Sequence, residues 1–115
     1  MFLYSSFAWG INDKKSLHAE YGFITMKRGT NIIGMTTVMN NGFTTSENGE
    51  IRDNKIVFHL HQIGRISWSR DLPVLHLIRE ITLLEPDVLE QRTMMQTLTH
   101  VMQEHTSIRY RKVFP

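Results

Sequence analysis

The chain has no cysteine among its 115 residues, which excludes disulfides, thiolate metal ligands and cysteine nucleophiles. That absence fits a reducing compartment, so a cytoplasmic location is expected. Long apolar runs are also missing: none approaches the roughly 18 residues of a membrane-spanning helix, and no membrane partner is expected. The start, Met1-Phe2-Leu3-Tyr4, lacks the basic segment of a secretory signal. Neither sign of charge dominates, with 13 basic and 11 acidic residues and a net charge of +2. So small an excess does not argue for nucleic acid. The one basic cluster, Arg109, Arg111 and Lys112, reads as a solvated strand face. Helix is nearly absent, Leu98–Glu104 being the only stretch able to form one. No GxSxG, HExxH or phosphate-binding loop occurs, and Glu47 and Glu50, flanking an expected turn, read as solvated rather than as a glycosidase pair.

What remains is a succession of strands and tight turns. With 41% apolar and 21% charged residues, the chain can bury a core, and its length suits one domain over 1–115. Strand-like runs are Met1–Trp9, Leu17–Lys27, Asn31–Met39, Gly42–Ser46, Lys55–Ser69, Val74–Leu84, Val88–Thr97 and Thr106–Val113. The turns between them are Gly10–Lys15, Arg28-Gly29-Thr30, Asn41-Gly42, Asn48-Gly49, Asp53-Asn54, Asp71-Leu72-Pro73 and Glu85-Pro86-Asp87. This spacing predicts an all-β antiparallel meander, a barrel of about eight strands. In Lys55–Ser69, Ile56, Phe58 and Leu60 share one face, and Val57, His59 and His61 the other. The pattern slips near Gln62-Ile63-Gly64, where Gly64 allows a bulge. Alternation is imperfect in Leu17–Met26 and Val74–Leu84.

Six histidines carry most of the candidate chemistry, because imidazole is the commonest metal ligand. His105 precedes the last strand-like run, in which Ile108 and Tyr110 share one face, and Ser107, Arg109 and Arg111 the other. Continuing that strand, His105 would share the arginine face; it reaches an interior only by belonging to the preceding bend. His59-x-His61 has the spacing of a strand-borne zinc pair, but no third ligand is fixed by spacing. His76, in an apolar run, reads as a hydrogen-bonded barrel residue, and His100 as a surface or bend residue. Met94, Met95 and Met102 read as flexible core filler, with the lining of a planar cofactor as the functional alternative.

Three segments together resemble the nitrobindins, heme-binding β-barrel domains related to fatty-acid-binding proteins. Leu17-His18-Ala19-Glu20-Tyr21-Gly22-Phe23 is similar to the family's M-H-x-E-x-G-[FY] strand. Asn40-Asn41-Gly42-Phe43 through Glu47-Asn48-Gly49 is similar to its N-T-G…E-x-G stretch. The third runs from His61-Gln62-Ile63-Gly64-Arg65-Ile66-Ser67 through Ile78-Arg79-Glu80-Ile81, Leu89-Glu90-Gln91, Met95, Thr97, Thr99 and His105 to Tyr110-Arg111-Lys112-Val113. The specificity lies in their order over nearly the whole chain. The resemblance implies a ferric b-type heme with His105 as the proximal iron ligand and with His18 and Leu17 on the distal side. It implies nitric oxide binding and isomerisation of peroxynitrite to nitrate. Leu17 stands where the family usually has methionine, a mild apolar change. The family's glycine-rich first strand, G-x-W-x-G-x-G-x-x-P-T, has no counterpart here. A barrel of about ten strands would be left with about eight, incompletely closed or closed with a changed shear.

Three readings follow. The first is a heme protein acting on peroxynitrite or nitric oxide. The second is a non-enzymatic carrier of fatty acid or another apolar ligand, with Arg65 or Arg79 available to pair a carboxylate. The third is a truncated product whose exposed sheet edge pairs with a second copy as a homodimer.

Overall fold

A computed structural model describes residues 1–13, 16–69, 71 and 73–113, Ser16 by its backbone alone. Lys14 and Lys15 of the first expected turn, and Leu72 of the Asp71-Leu72-Pro73 turn, lie outside the described residues. Eight strands follow in chain order: β1 (Phe2–Trp9), β2 (Ser16–Met26), β3 (Ile32–Met39), β4 (Phe43–Arg52), β5 (Lys55–Arg65), β6 (Val74–Glu85), β7 (Val88–Thr97) and β8 (Gln103–Arg111). Each pairs antiparallel with its sequence neighbour in a single sheet, so the expected meander is found. The sheet curls strongly into a half-barrel but does not close, and β1 and β8 are its two edges. The radius of gyration, 14.8 Å, exceeds the value of about 13 Å usual for a compact domain near this size, as an open trough requires.

Strand parity sorts the side chains. Ile33, Met35 and Thr37 of β3 are buried between less buried neighbours, as are Phe43, Thr45 and Glu47 of β4. On the concave face Ile33, Met35 and Phe58 form one cluster, joined by Tyr4, Ile24, Ile51, Ile56 and Ile81. Phe43, Val74 and Leu77 form another, joined by Met39, Leu60, Ile63 and Met95. Charged and hydroxyl side chains lie between the two clusters.

Two strand limits differ from expectation. The Asn48-Gly49 turn does not form: β4 runs through it to Arg52, pairing Asn48 with Gly34 and His59. Gly49 serves close approach instead, since a Cβ there would collide with the Val57 carbonyl oxygen. The continuing strand turns Glu47 inward, fully buried, while Glu50 stays exposed. The turns at Gly29 and Gly42, with φ of 77° and 85°, are as expected, and Asp53 supplies positive φ at the β4–β5 hairpin. At the other end of the chain, Leu98–Glu104 forms no helix and β8 begins at Gln103, so His105 lies within a strand.

Five bulges bend the sheet. Where the register skips, one residue has no partner opposite: Leu17 in β2, His61 in β5, Leu75 and Leu84 in β6, and His105 in β8. An extra residue on one strand sharpens the local twist and resets parity. The imperfect alternation of the β2 and β6 segments has another source: β2 buries Glu20 and exposes Tyr21 and Phe23, and β6 buries Arg79. The slip expected around Gln62-Ile63-Gly64 is found beside Gln62, with His61 rather than Gly64 as the bulged residue.

Candidate functional site

The centre of the trough is charged. Arg79 of β6, 2% exposed, is gripped from two sides. Its Nε and Nη2 donate to Glu47 Oε1 and Oε2 at 3.0 and 3.1 Å. Its Nη1 and Nη2 donate to Glu20 Oε1 and Oε2 at 3.2 and 3.5 Å. Nη1 also donates to the Tyr4 hydroxyl at 3.3 Å, and that hydroxyl donates to Glu20 Oε1 at 3.0 Å. The Thr45 hydroxyl donates to Glu47 Oε2 at 2.8 Å and so accepts from the Thr37 hydroxyl. A guanidinium suits this place because its planar fork serves two carboxylates at once.

The electrostatics follow from burial and pairing. Burial would weaken the Arg79 cation, but the charges of Glu47 and Glu20 outweigh it and raise its pKa. Burial would raise the Glu20 carboxyl; contact with His18 and the charge and hydrogen bonds of Arg79 win, holding it at about 2. Tyr4 is pushed up to about 12 by burial and by the Glu20 charge, so it stays protonated as a donor.

His18 joins this network. It pairs with Ala8 of β1 and shares the concave face with Glu20, and its Nε2 stands 3.4 Å from Glu20 Oε1. Leu17 is the bulged residue beside it and is exposed. His105 is the bulged residue of β8, between Glu104, which pairs with Met94, and Thr106, which pairs with Thr93. The requirement that His105 sit in a bend to escape the arginine face is therefore superseded: the bulge breaks the parity on which it rested. The His105 ring is exposed and has no hydrogen-bond or ion-pair partner among the described residues. His18 and Leu17 thus stand together near one edge of the sheet, and His105 lies on the strand at the other edge. No strand pairing links them among the described residues.

The remaining candidates disperse. His59 lies on the convex face, pairing with Asn48 and Ile78, and His61 is bulged; no metal-binding group of three occurs among the described residues. His76 is exposed opposite Gln96 rather than a bonded barrel residue, because the bulge at Leu75 turns it outward. His100 is exposed in a bend, 2.9 Å from the Thr99 hydroxyl. Only Met95 of the three methionines packs against a core cluster. Arg65 is exposed and donates to the Ser69 and Asp71 carbonyls. Arg109 and Arg111 form the expected solvated face.

The inner wall offers surface to a bound group. Phe2, Leu83, Leu89, Ile108 and Tyr110 have concave-face register yet remain exposed. Thr97 Oγ1, at the end of β7, is buried without a partner. An unpartnered imidazole on β8, exposed apolar residues on the inner face of the same strand and an unsatisfied hydroxyl on β7 are a set that fits an apolar group with a nitrogen-ligated metal. The sequence matches the THAP4-like, heme-binding beta-barrel domain over residues 1–112. The chain belongs to that family. It is 40% identical to the Caenorhabditis elegans protein "Uncharacterized protein C28H8.5", covering 97% of this chain and 40% of that protein. It is 35% identical to the Rattus norvegicus "Peroxynitrite isomerase THAP4" and 33% to that of Homo sapiens, covering 88% and 89% of this chain. The chain spans 18% of the length of each of those two relatives. The fold also matches the crystal structure of Rv2717c from M. tuberculosis, with a TM-score of 0.78 and 21% identity, over 96% of this chain and 71% of that one.

The sequence reading missed the charged network. The signal was present: Glu20, Glu47 and Arg79 fall one in each of the three segments that carry the family resemblance.

Proposed function

We propose that this chain is a ferric b-type heme-binding domain that binds nitric oxide and isomerises peroxynitrite to nitrate. The observation that carries the reading is the family match over residues 1–112, which includes His105 on its bulge with a ring free of internal partners. The relatives named as peroxynitrite isomerases support the activity. Heme, when bound, would supply an iron that takes small ligands and promotes cleavage of a weak O–O bond with the fragments rejoined through an N–O bond. The chain's own part is to hold and shape. His105 would hold the iron through one ring nitrogen, and the exposed inner-face residues Ile108 and Tyr110 would give apolar contact along the same strand. His18 and Leu17 form the distal side, where an imidazole meets the incoming oxyanion or its acid. The absence of cysteine suits work in the cytoplasm.

The carrier reading keeps one of its two cations. Arg79 already serves two protein carboxylates, while Arg65, opposite Phe43, is exposed and pairs with no carboxylate among the described residues.

Hemin titration followed by absorbance tests the proposal. A Soret band that saturates with the wild-type chain and is lost or strongly shifted in His105→Ala is the expected result. Equal binding and an unchanged spectrum in His105→Ala overturn the proximal assignment, and turnover of peroxynitrite no faster than by free hemin overturns the activity.

A further inference from the structure

The buried charge cluster is not electrically closed. Two carboxylates, Glu20 and Glu47, share one guanidinium, and the Glu20 oxygen that accepts from Tyr4 and Arg79 Nη1, Oε1, also faces His18. Whichever atom of His18 meets that carboxylate must bring a proton, because an ionised carboxylate only accepts and a bare ring nitrogen beside it would set lone pair against lone pair. The nitrogen that meets it is Nε2, 3.4 Å from Glu20 Oε1. At 3.4 Å the contact is long for a hydrogen bond. Glu20 is pinned through three donors, Tyr4 and two guanidinium nitrogens, so it cannot swing away. The His18 side chain is 39% exposed, against 7% for Glu20.

We infer that Glu20 is a positioning residue for His18, holding the neutral ring as its Nε2–H tautomer and leaving Nδ1 as the acceptor for a protonated oxyacid ligand. This is the division of labour of a carboxylate–imidazole pair, in which the buried carboxylate fixes the tautomer and the outer nitrogen does the acid–base work. With peroxynitrous acid as ligand, its O–H bond breaks, an Nδ1–H bond forms, and the products are the peroxynitrite anion and an imidazolium whose charge the Glu20 carboxylate balances. The assignment of that ligand rests on the proposed function; the tautomer does not. Tyr4, Arg79 and Glu47 support the arrangement through Glu20.

The test uses the 15N-labelled chain without hemin, so its outcome is independent of heme binding. Long-range proton–nitrogen correlation spectra are recorded at a pH above the titration of the rings. The His18 signals are assigned by their loss in His18→Asn. The expected pattern for His18 is a single Nε2–H tautomer, against the mixed tautomers of exposed His59 and His76 in the same spectrum. Glu20→Gln, and Glu20→Asp with its shorter reach, are expected to move His18 to that mixed pattern while the amide spectrum stays dispersed. An Nδ1–H tautomer in the wild type, or a mixed one, overturns the inference. So does an unchanged single tautomer in both folded variants. If neither variant folds, the wild-type pattern alone decides.

Discussion

Replacing Arg79 by methionine probes the centre of the fold directly. The side chain is 2% exposed, and the substitution keeps length and flexibility while removing a charge and five N–H donors. Glu47, fully buried, and Glu20, 5% exposed, would then face each other without a cation. Breaking a buried ion pair from one side costs about 3–5 kcal/mol. Against a total stability of roughly 5–15 kcal/mol for a natural domain, this leaves the variant marginal. At about 4 °C per kcal/mol for this size, the melting temperature should fall by roughly 12–20 °C. The pH dependence gives the sharper check. In the wild type, Glu20 has a folded pKa of about 2, below its ordinary 4.5. Its contribution to stability is present above 4.5 and is lost as pH falls through about 2, and it is worth at most about 3 kcal/mol. In the variant the orphaned carboxylates have folded pKa values above their unfolded ones, so the penalty shrinks as pH falls toward 4.5. Arg79→Met should therefore grow more stable from pH 7 to pH 5 while the wild type does not. Urea unfolding followed by far-ultraviolet circular dichroism measures this; both tryptophans, Trp9 and Trp68, are exposed and make poor fluorescence reporters. A loss below about 1 kcal/mol at pH 7, or the same loss at pH 5 and pH 7, would refute the reasoning.

Three further outcomes follow from single contacts. Phe58→Ala, at the fully buried ring of the first core cluster, should cost about 3–5 kcal/mol in the same unfolding assay. Gly49→Ala places a methyl group against the Val57 carbonyl and should cost about 1–3 kcal/mol, whereas alanine at the expected turn would have strained the backbone but met no wall. Thr45→Val removes the hydroxyl that links Thr37 to Glu47 and should cost about 1–3 kcal/mol by leaving buried acceptors short of a donor; equal melting temperatures for variant and wild type would contradict that link.

The meander was legible because its evidence is local. Period-two alternation in β3 and β5, and glycine at Gly29 and Gly42, depend on a few neighbouring residues and on backbone sterics. Asn48-Gly49 misled because the same dipeptide satisfies two demands. A hairpin turn wants positive φ, and a crowded strand wants no Cβ; only the carbonyl of Val57, on another strand, shows which applies here. Once that turn was assumed, Glu47 was placed in solvent, and the most buried carboxylate in the protein was read as a surface acid. Of the bulges, the one in β5 shows in the sequence, as a slip near Gln62-Ile63-Gly64; which residue is left without a partner is fixed by the register of the neighbouring strand.

That limit bears most on the candidate site. Leu17 and His105, expected on opposite sides of an iron, are both bulged residues, and His18 adjoins one of them. Bulges gather where a side chain must be aimed against the pleat, so parity arguments fail at the positions for which they were wanted. The charged network has the opposite character. Glu20, Glu47 and Arg79 are 27 and 32 residues apart in sequence, and no spacing rule joins them, yet they meet because β2, β4 and β6 each present the same face to the trough. An open half-barrel has few apolar layers with which to hold that face in register. A guanidinium shared by two carboxylates ties β6 to β2 and β4 directionally, as apolar contact does not. The Glu20 oxygen that takes Arg79 Nη1 also meets His18. The tie across the fold and the polarity beside His18 are in this way the same three side chains, and a substitution at Glu20 should be felt in both.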